Sequence, residues 1–351
     1  MTARRYRILT WHVHGSYLQV LGHVPHDIFV PVRTDRPPRY AGLPAGREWP
    51  ANLREVRAED VPAMGFDGVL YQSDENWHSD QHEILTRAQR RLPRIYLEHD
   101  PPGHDTGSCF DSRHPVDDPA VTIVHVTHFN DLMWDSGRNP TRVIQHAVVD
   151  RGDLYRGDLE RGLVVVNNIA RRGRRLGLDV YEQMRARIPL DLIGLGSEQV
   201  EGGLGEVPPD EVAAFAARYR FFFHPIRYTS LGMSLCEAVM AGIPVAALAT
   251  TEATTVIEDG VTGYLSTDVD RLADRMRHLL DDPDAARRMG GAARQMARHR
   301  FGVGRFTSEW DRLIRQTMEG RRGRVSRTVD GVGSRVLRSP FSEESSDVEE
   351  I

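Results

Sequence analysis

Short, nearly unbroken apolar runs recur along the chain at 7–13 (RILTWHV), 27–32 (DIFVPV), 68–72, 94–98 and 121–126, and again at 163–166, 190–194, 221–223 and 245–249. Runs of this kind, bounded by polar residues, Gly or Pro, predict strands of a parallel sheet covered on both faces. Between them lie segments with helical spacing: 80–91, 178–188 with Val180, Tyr181 and Met184 on one side, 210–219, 234–241, 268–280, 284–299 and 306–318. The stretch 33–52, rich in Pro, Gly and Arg, has little to bury and reads as a loop. Residues 256–265 (VIEDGVTGYL) read as a turn and a short strand. Alternation of strand and helix predicts an α/β protein built on doubly wound parallel sheets.

The alternation is interrupted once. Residues 150–161 are charged and lack an apolar period, as a linker between two units would. A chain of 351 residues can form two domains, each with its own core. From Glu319 onward the composition changes to a basic patch (Arg321, Arg322, Arg324, Arg327) and then an acidic end (Glu343, Glu344, Asp347, Glu349, Glu350). That predicts a disordered tail over 319–351. No run approaches the length of a membrane-spanning helix, and the N-terminus enters a strand-like segment without a signal-peptide core. Cys109 and Cys236 stand far apart with no metal-ligand spacing, so a reduced, cytoplasmic protein is expected. The net charge of −5 lacks the footprint of a nucleic-acid binder. All 45 residues counted as Lys or Arg are arginine, so any side-chain ammonium role passes to a forked guanidinium.

Chemistry concentrates in 221–249, FFFHPIRYTSLGMSLCEAVMAGIPVAALA. It reads as strand, loop, helix and strand, with Gly242 at the helix exit and Pro244 preventing continuation. A Gly-containing loop that opens a helix after a strand makes an anion site, because the first helical N–H groups have no intrahelical partner. Glu237, about one turn inside, would repel a phosphate but suits the hydroxyls of a ribose beside it. Together these suggest a nucleotide diphosphate site. The run Arg171-Arg172-Gly173-Arg174-Arg175, at the end of another strand of the same unit, supplies positive charge for a diphosphate leaving group. In doubly wound sheets ligands gather beyond the carboxyl ends of strands. In the first unit those ends carry His12, His14 and Gly15; Gln72 and Ser73; His99, Asp100, Pro101 and Pro102; and Thr127 and His128. The histidines His12, His14, His99, His125 and His128 also raise a metal site as an alternative.

The segment TSLGMSLCEAVMAGIPVAA resembles the donor-binding signature of retaining glycosyltransferases of the GT-B fold, family 4, glycosyl transferases group 1. The resemblance is strong over 208–310, moderate over 163–194 and thin in the first half. It implies two Rossmann-like domains facing a central cleft: an acceptor domain over 1–150 and a nucleotide-sugar domain over 151–304. A helix at 305–318 would cross back onto the first domain, and 141–145 would be that domain's last strand. The implied reaction moves a sugar from a nucleotide-diphosphate sugar to an acceptor hydroxyl with retention, needing neither metal nor cofactor.

By the same resemblance Glu237 holds the second motif glutamate, Gly232 the last turn glycine, and Met233 and Ser234 the start of the helix. Thr229 stands where the family places its first glutamate, which touches the transferred sugar. His99 matches the histidine near the reacting sugar, and Gly15 the glycine that approaches the donor phosphates. Arg172, Arg174 and Arg175 would stabilise the departing diphosphate. Residues 259–265 match a structural turn. The acceptor class stays open among glycan, lipid-linked and small-molecule hydroxyls. The basic face of Arg87, Arg90, Arg91 and Arg94 reads first as a solvated helix face, with an anionic membrane, such as the inner membrane face, or an anionic acceptor as the functional alternatives. The competing readings are a sugar-nucleotide epimerase of the same architecture, a metal-dependent hydrolase using the histidines, and, given Thr229, a catalytically silent sugar-nucleotide-binding protein.

Overall fold

The computed structural model describes residues 4–45, 48–103 and 112–325. The first half contains β1 (Arg7–Thr10), α1 (Gly15–Leu21), β2 (Asp27–Val32), β3 (Leu53–Arg57), β4 (Gly68–Tyr71), α2 (Gln81–Ile84), β5 (Arg94–Glu98), β6 (Val121–His125), α3 (His128–Met133) and β7 (Thr141–Val143). The second contains β8 (Leu159–Val165), α4 (Ile169–Arg172), α5 (Leu178–Arg185), β9 (Leu190–Ile193), α6 (Val212–Ala216), β10 (Tyr219–His224), α7 (Met233–Met240), β11 (Val245–Leu248), α8 (Ala253–Val256), β12 (Gly263–Ser266), α9 (Val269–Asp281), α10 (Pro283–Arg300) and α11 (Val303–Val325). The strands form two sheets, ordered β3-β2-β1-β4-β5-β6-β7 and β12-β11-β10-β8-β9. Neighbouring strands pair in parallel, as in β1 with β4 and β10 with β11.

The central strands explain the continuous apolar runs. In β10 all six residues are buried. Phe221 and Phe223 pack on one side of the sheet and Phe222 on the other, following the two-residue period of a strand. At the exit of α7, Ile243 N–H donates to Ala238 O at 3.0 Å and Gly242 N–H to Val239 O at 3.2 Å. Gly242 has φ +81°, so this is the Schellman closure that Gly followed by Pro predicts. A Cβ at Gly290 of α10 would lie 2.0 Å from Gly242 O, so α10 passes over that turn only because Gly290 lacks one.

Several boundaries differ from the sequence expectation. Strand β3 falls just past the expected loop: its pattern LREVR buries only Leu53 and Val56, as an edge strand can, and shows no apolar run. Gly15 to Tyr17 open α1 rather than a simple turn, and the helix is too short to display a period. The expected helix at 80–91 breaks at Leu85, whose φ of −101° and ψ of 135° are extended. Strand β8 begins inside the expected linker, and β10 begins at Tyr219, which the sequence places at the end of a helix. Helix α11 continues to Val325, past the expected start of a disordered tail at Glu319, where the Tyr6 hydroxyl donates to the Glu319 carboxylate at 2.8 Å. Cys109 and the tail beyond Val325 lie outside the described residues.

Helix α11 packs on the first sheet. Phe306, Trp310, Leu313, Ile314 and Met318 join the core formed by Tyr17, Leu18, Ile95 and Val124. Trp310 is fully buried and its indole N–H donates to the Tyr17 hydroxyl at 3.2 Å. The described residues therefore begin on the first sheet and return to it through α11, with the second sheet between. Among the described residues no helix is long and apolar enough to cross a membrane.

Candidate functional site

The carboxyl ends of the two sheets face each other across a cleft of about 620 Å³. One wall carries His14, Gly15, Tyr17, His99, Asp100 and His146; the other carries Arg171, Arg172, Gly194, Thr229, Gly232, Met233, Ser234 and Glu237. Gly232 precedes α7 with φ +90° and ψ +120°, and no side chain caps the helix there. The first N–H groups of α7 are thereby left to whatever enters the cleft. Ser234 donates its hydroxyl to Val165 O at 3.2 Å, fixing the start of α7 against the end of β8. Glu237 is half-buried, one turn in, on the cleft side.

The arginine run divides. Arg171 and Arg172 line the cleft, whereas Arg174 and Arg175 are not among its lining residues. The reason is the way the run packs against the loop after β10. A Cβ at Gly177 (φ +82°) would lie 2.0 Å from Pro225 O, so the two segments touch backbone to backbone. Arg227 and Tyr228 N–H both donate to Arg175 O, at 3.1 and 3.2 Å. The Arg174 guanidinium turns to Asp179 at 2.6 Å, and Arg227 reaches the same carboxylate at 2.8 Å. Arg171, which the sequence names only as part of the run and not among the three arginines expected to stabilise the diphosphate, takes a place in the cleft; charge counting does not reveal which member of the run points where.

On the opposite wall His99 is buried and its Nε2 lies 3.0 Å from Gln72 Oε1. Its ring meets His14 edge-on at 4.5 Å and Tyr17 at 4.9 Å. Burial, aided by repulsion from His14 and His146, holds its pKa well below the ordinary histidine value. Burial likewise pushes His146 down to about 4. The buried His99 and His146 rings are therefore neutral at physiological pH, while Arg171 and Arg172 bring positive charge to the other wall.

The five histidines considered together do not converge. His12 lies against Trp49 at 5.9 Å, and His125 against Ser136 at 3.2 Å. Among the described residues no group of three or more His, Cys, Asp or Glu side chains is placed to hold a metal ion.

The walls are tied together by direct bonds. The Ser230 hydroxyl donates to His99 O, and the Tyr228 hydroxyl to Pro102 O at 2.9 Å. Glu252, only 2 % exposed, accepts from Phe129 N–H at 3.0 Å and from Gln145 on the first unit. From the second unit it accepts from Thr255 Oγ1 at 2.9 Å and from Arg300 at 3.1 Å. No motif in the sequence marks Glu252; only its contacts, more than a hundred residues away along the chain, make it a junction.

The sequence model of the family described as glycosyl transferases group 1 matches residues 202–296. No curated protein sequence matches the chain. The structure is similar to sucrose-phosphate synthase from Thermosynechococcus elongatus, with TM-score 0.66 and 17% identity over 90% of this chain and 100% of that one. It is similar to HepE from Anabaena, solved in complex with UDP-glucose, with TM-score 0.60 and 15% identity over 90% and 100% of the two chains. A glycosyltransferase from Rickettsia africae gives TM-score 0.61 and 12% identity over 90% and 100%. The chain thus has the GT-B fold of two Rossmann-like domains across a cleft, and residues 202–296 within it match the glycosyl transferases group 1.

Proposed function

We propose that this protein is a glycosyltransferase that moves a sugar from a nucleoside-diphosphate sugar to an acceptor hydroxyl, with retention at the anomeric carbon and without a metal. The observation that carries the reading is the cationic wall: the uncapped start of α7 behind Gly232, with Arg171 and Arg172 lining the same cleft and Glu237 one turn in. Leaving-group charge develops on the diphosphate as the glycosidic bond breaks. Arg171, Arg172 and the helix N-terminus line the cleft where that charge would develop, and supply the positive potential it needs. Glu237 accepts the ribose hydroxyls. The buried, uncharged rings of His99 and His146 face the sugar, whose hydroxyls need hydrogen-bond partners rather than counter-charge. Thr229 lines the cleft where the sugar would lie and offers it a hydroxyl. Closure of the two domains over the bound donor keeps water from the reacting carbon, so that an acceptor hydroxyl attacks instead.

The test is calorimetric titration with a panel of nucleoside diphosphates, repeated on Glu237→Ala. We expect one diphosphate to bind and the variant to bind it at least tenfold more weakly. Unchanged affinity sinks the assignment of Glu237. Release of diphosphate from the matching sugar nucleotide only when an acceptor is added separates the transferase from an epimerase, which needs no acceptor. Persistence of that release in chelator tests the metal-independent mechanism.

A further inference from the structure

Gln72 follows β4 and is 3 % exposed. Its amide nitrogen donates to Trp11 O and to Thr10 Oγ1, each at 2.8 Å. A backbone carbonyl can only accept, so the side of the amide facing Trp11 must be the NH2 group. The remaining amide oxygen faces His99 Nε2 at 3.0 Å, and it too can only accept. The histidine must therefore carry its proton on Nε2, and in the neutral ring the lone pair sits on Nδ1. The orientation of Gln72 is itself held from behind. Its backbone N–H donates to Asn76 Oδ1 at 3.2 Å, and Asn76 Nδ2 donates to the fully buried Asp80 at 2.8 Å. Asp80 pairs with Arg39.

We infer that Gln72 is a positioning residue that locks His99 in the Nε2–H tautomer, so that Nδ1 serves the cleft as a hydrogen-bond acceptor. The ring has little freedom to escape the lock. It is wedged edge-on between His14 and Tyr17, and its own carbonyl is held by Asn130 Nδ2 at 3.3 Å and by Ser230. An acceptor at that point takes a hydroxyl or amine hydrogen and rejects a carboxylate or phosphate oxygen. The inference rests on the proposed transferase for its kinetic consequence, where the partner is a sugar hydroxyl. Its structural half stands without that reading.

The test has two arms. In protein with ¹⁵N-labelled histidine, two-bond ¹H–¹⁵N spectra distinguish the tautomers with no substrate present, and the His99 signals are identified by their loss in His99→Asn. We expect the Nε2–H pattern in the wild type and a mixture of tautomers in Gln72→Leu. An Nδ1–H pattern in the wild type overturns the inference, as does an unaltered His99 pattern in Gln72→Leu. The second arm uses Gln72→Glu. It keeps an acceptor on Nε2, but its charge favours the imidazolium, which turns Nδ1 into a donor. The titratable groups facing the ring are His14, Tyr17 and His146, with Asp100 beside it in its own loop. We expect kcat/KM for the sugar nucleotide to drop about tenfold at pH 6 and to recover toward wild type by pH 9, whereas the wild-type profile lacks this limb. A pH-independent loss in Gln72→Glu means packing alone and overturns the positioning role. If the spectra are as expected but no sugar nucleotide is turned over, the proposed function fails and the tautomer lock stands.

Discussion

Replacing Glu252 by alanine removes the carboxylate that joins the two halves. Four donors converge on it: Phe129 N–H and Gln145 from one side, Thr255 and Arg300 from the other. The Arg300 side chain is 22% exposed and the Glu252 side chain 2%, so the pair is mostly withdrawn from water. Breaking a buried ion pair by removing one member costs about 3–5 kcal/mol, because the other charge is left uncompensated. Residual exposure of Arg300, and its bonds to Gln145 and Thr255, recover part of this, so about 2–4 kcal/mol is the expected loss. For domains of this size each kcal/mol moves the thermal midpoint by about 2–4 °C, which predicts a fall of roughly 4–16 °C by differential scanning calorimetry. Glu252→Gln keeps the shape and loses the charge, and should cost about 1–2 kcal/mol. The double variant Glu252→Ala with Arg300→Met should be more stable than Glu252→Ala alone, since no charge is stranded. Because two donors belong to each half, the radius of gyration from small-angle scattering should also rise in Glu252→Ala. A loss below about 1 kcal/mol with an unaltered radius would refute the junction, since a typical exposed pair costs no more than that.

Two further outcomes follow from the geometry of the charges. Arg172→Ala should weaken nucleoside-diphosphate binding at least tenfold by calorimetry. Arg174→Ala, whose guanidinium is engaged by Asp179, should leave it within twofold; equal losses in the two variants would contradict the division of the run. Burial lowers His26, His125, His146 and His224 to about 4 each, below the value of about 6.5 they regain on unfolding. Between those limits the unfolded chain binds protons that the folded chain does not, so stability is full above about pH 6.5 and falls as pH drops toward 4. The Glu98 carboxyl, raised by burial, works in the opposite direction but is one group against five, since burial lowers His99 as well. Thermal midpoints measured from pH 8 to 4 should be flat and then decline below about 6.5; a midpoint unchanged down to pH 5 would contradict the burial of these rings.

Reading the sequence works where the physics is local. A fully apolar run such as VAAL, closed in by a helix stop before it and a turn after it, suits a parallel strand covered on both faces, and β11 is buried at every position. Gly242 followed by Pro244 ends a helix by backbone geometry alone, and the Schellman bonds are where those two residues put them. Strand β3 escapes because an edge strand needs no apolar run, and α1 because seven residues hold too few turns to show a period.

The site shows the same boundary. The uncapped start of α7, with Glu237 one turn in, was legible because loop, helix and carboxylate are contiguous in the chain. Which arginines face the cleft was not, since Gly177 pressing on Pro225 and Asp179 capturing Arg174 and Arg227 are accidents of packing between segments. Nor could the sequence disclose that Gln72 orients His99, 27 residues on, or that Glu252 reaches Phe129 across 123 residues. By itself the sequence determined two parallel α/β units and a helix start suited to an anion, because periodicity and backbone stereochemistry act over a few residues. The tertiary structure alone decided which charges, tautomers and junctions serve the cleft, because hydrogen bonds and ion pairs depend on distance in space, which chain order does not encode.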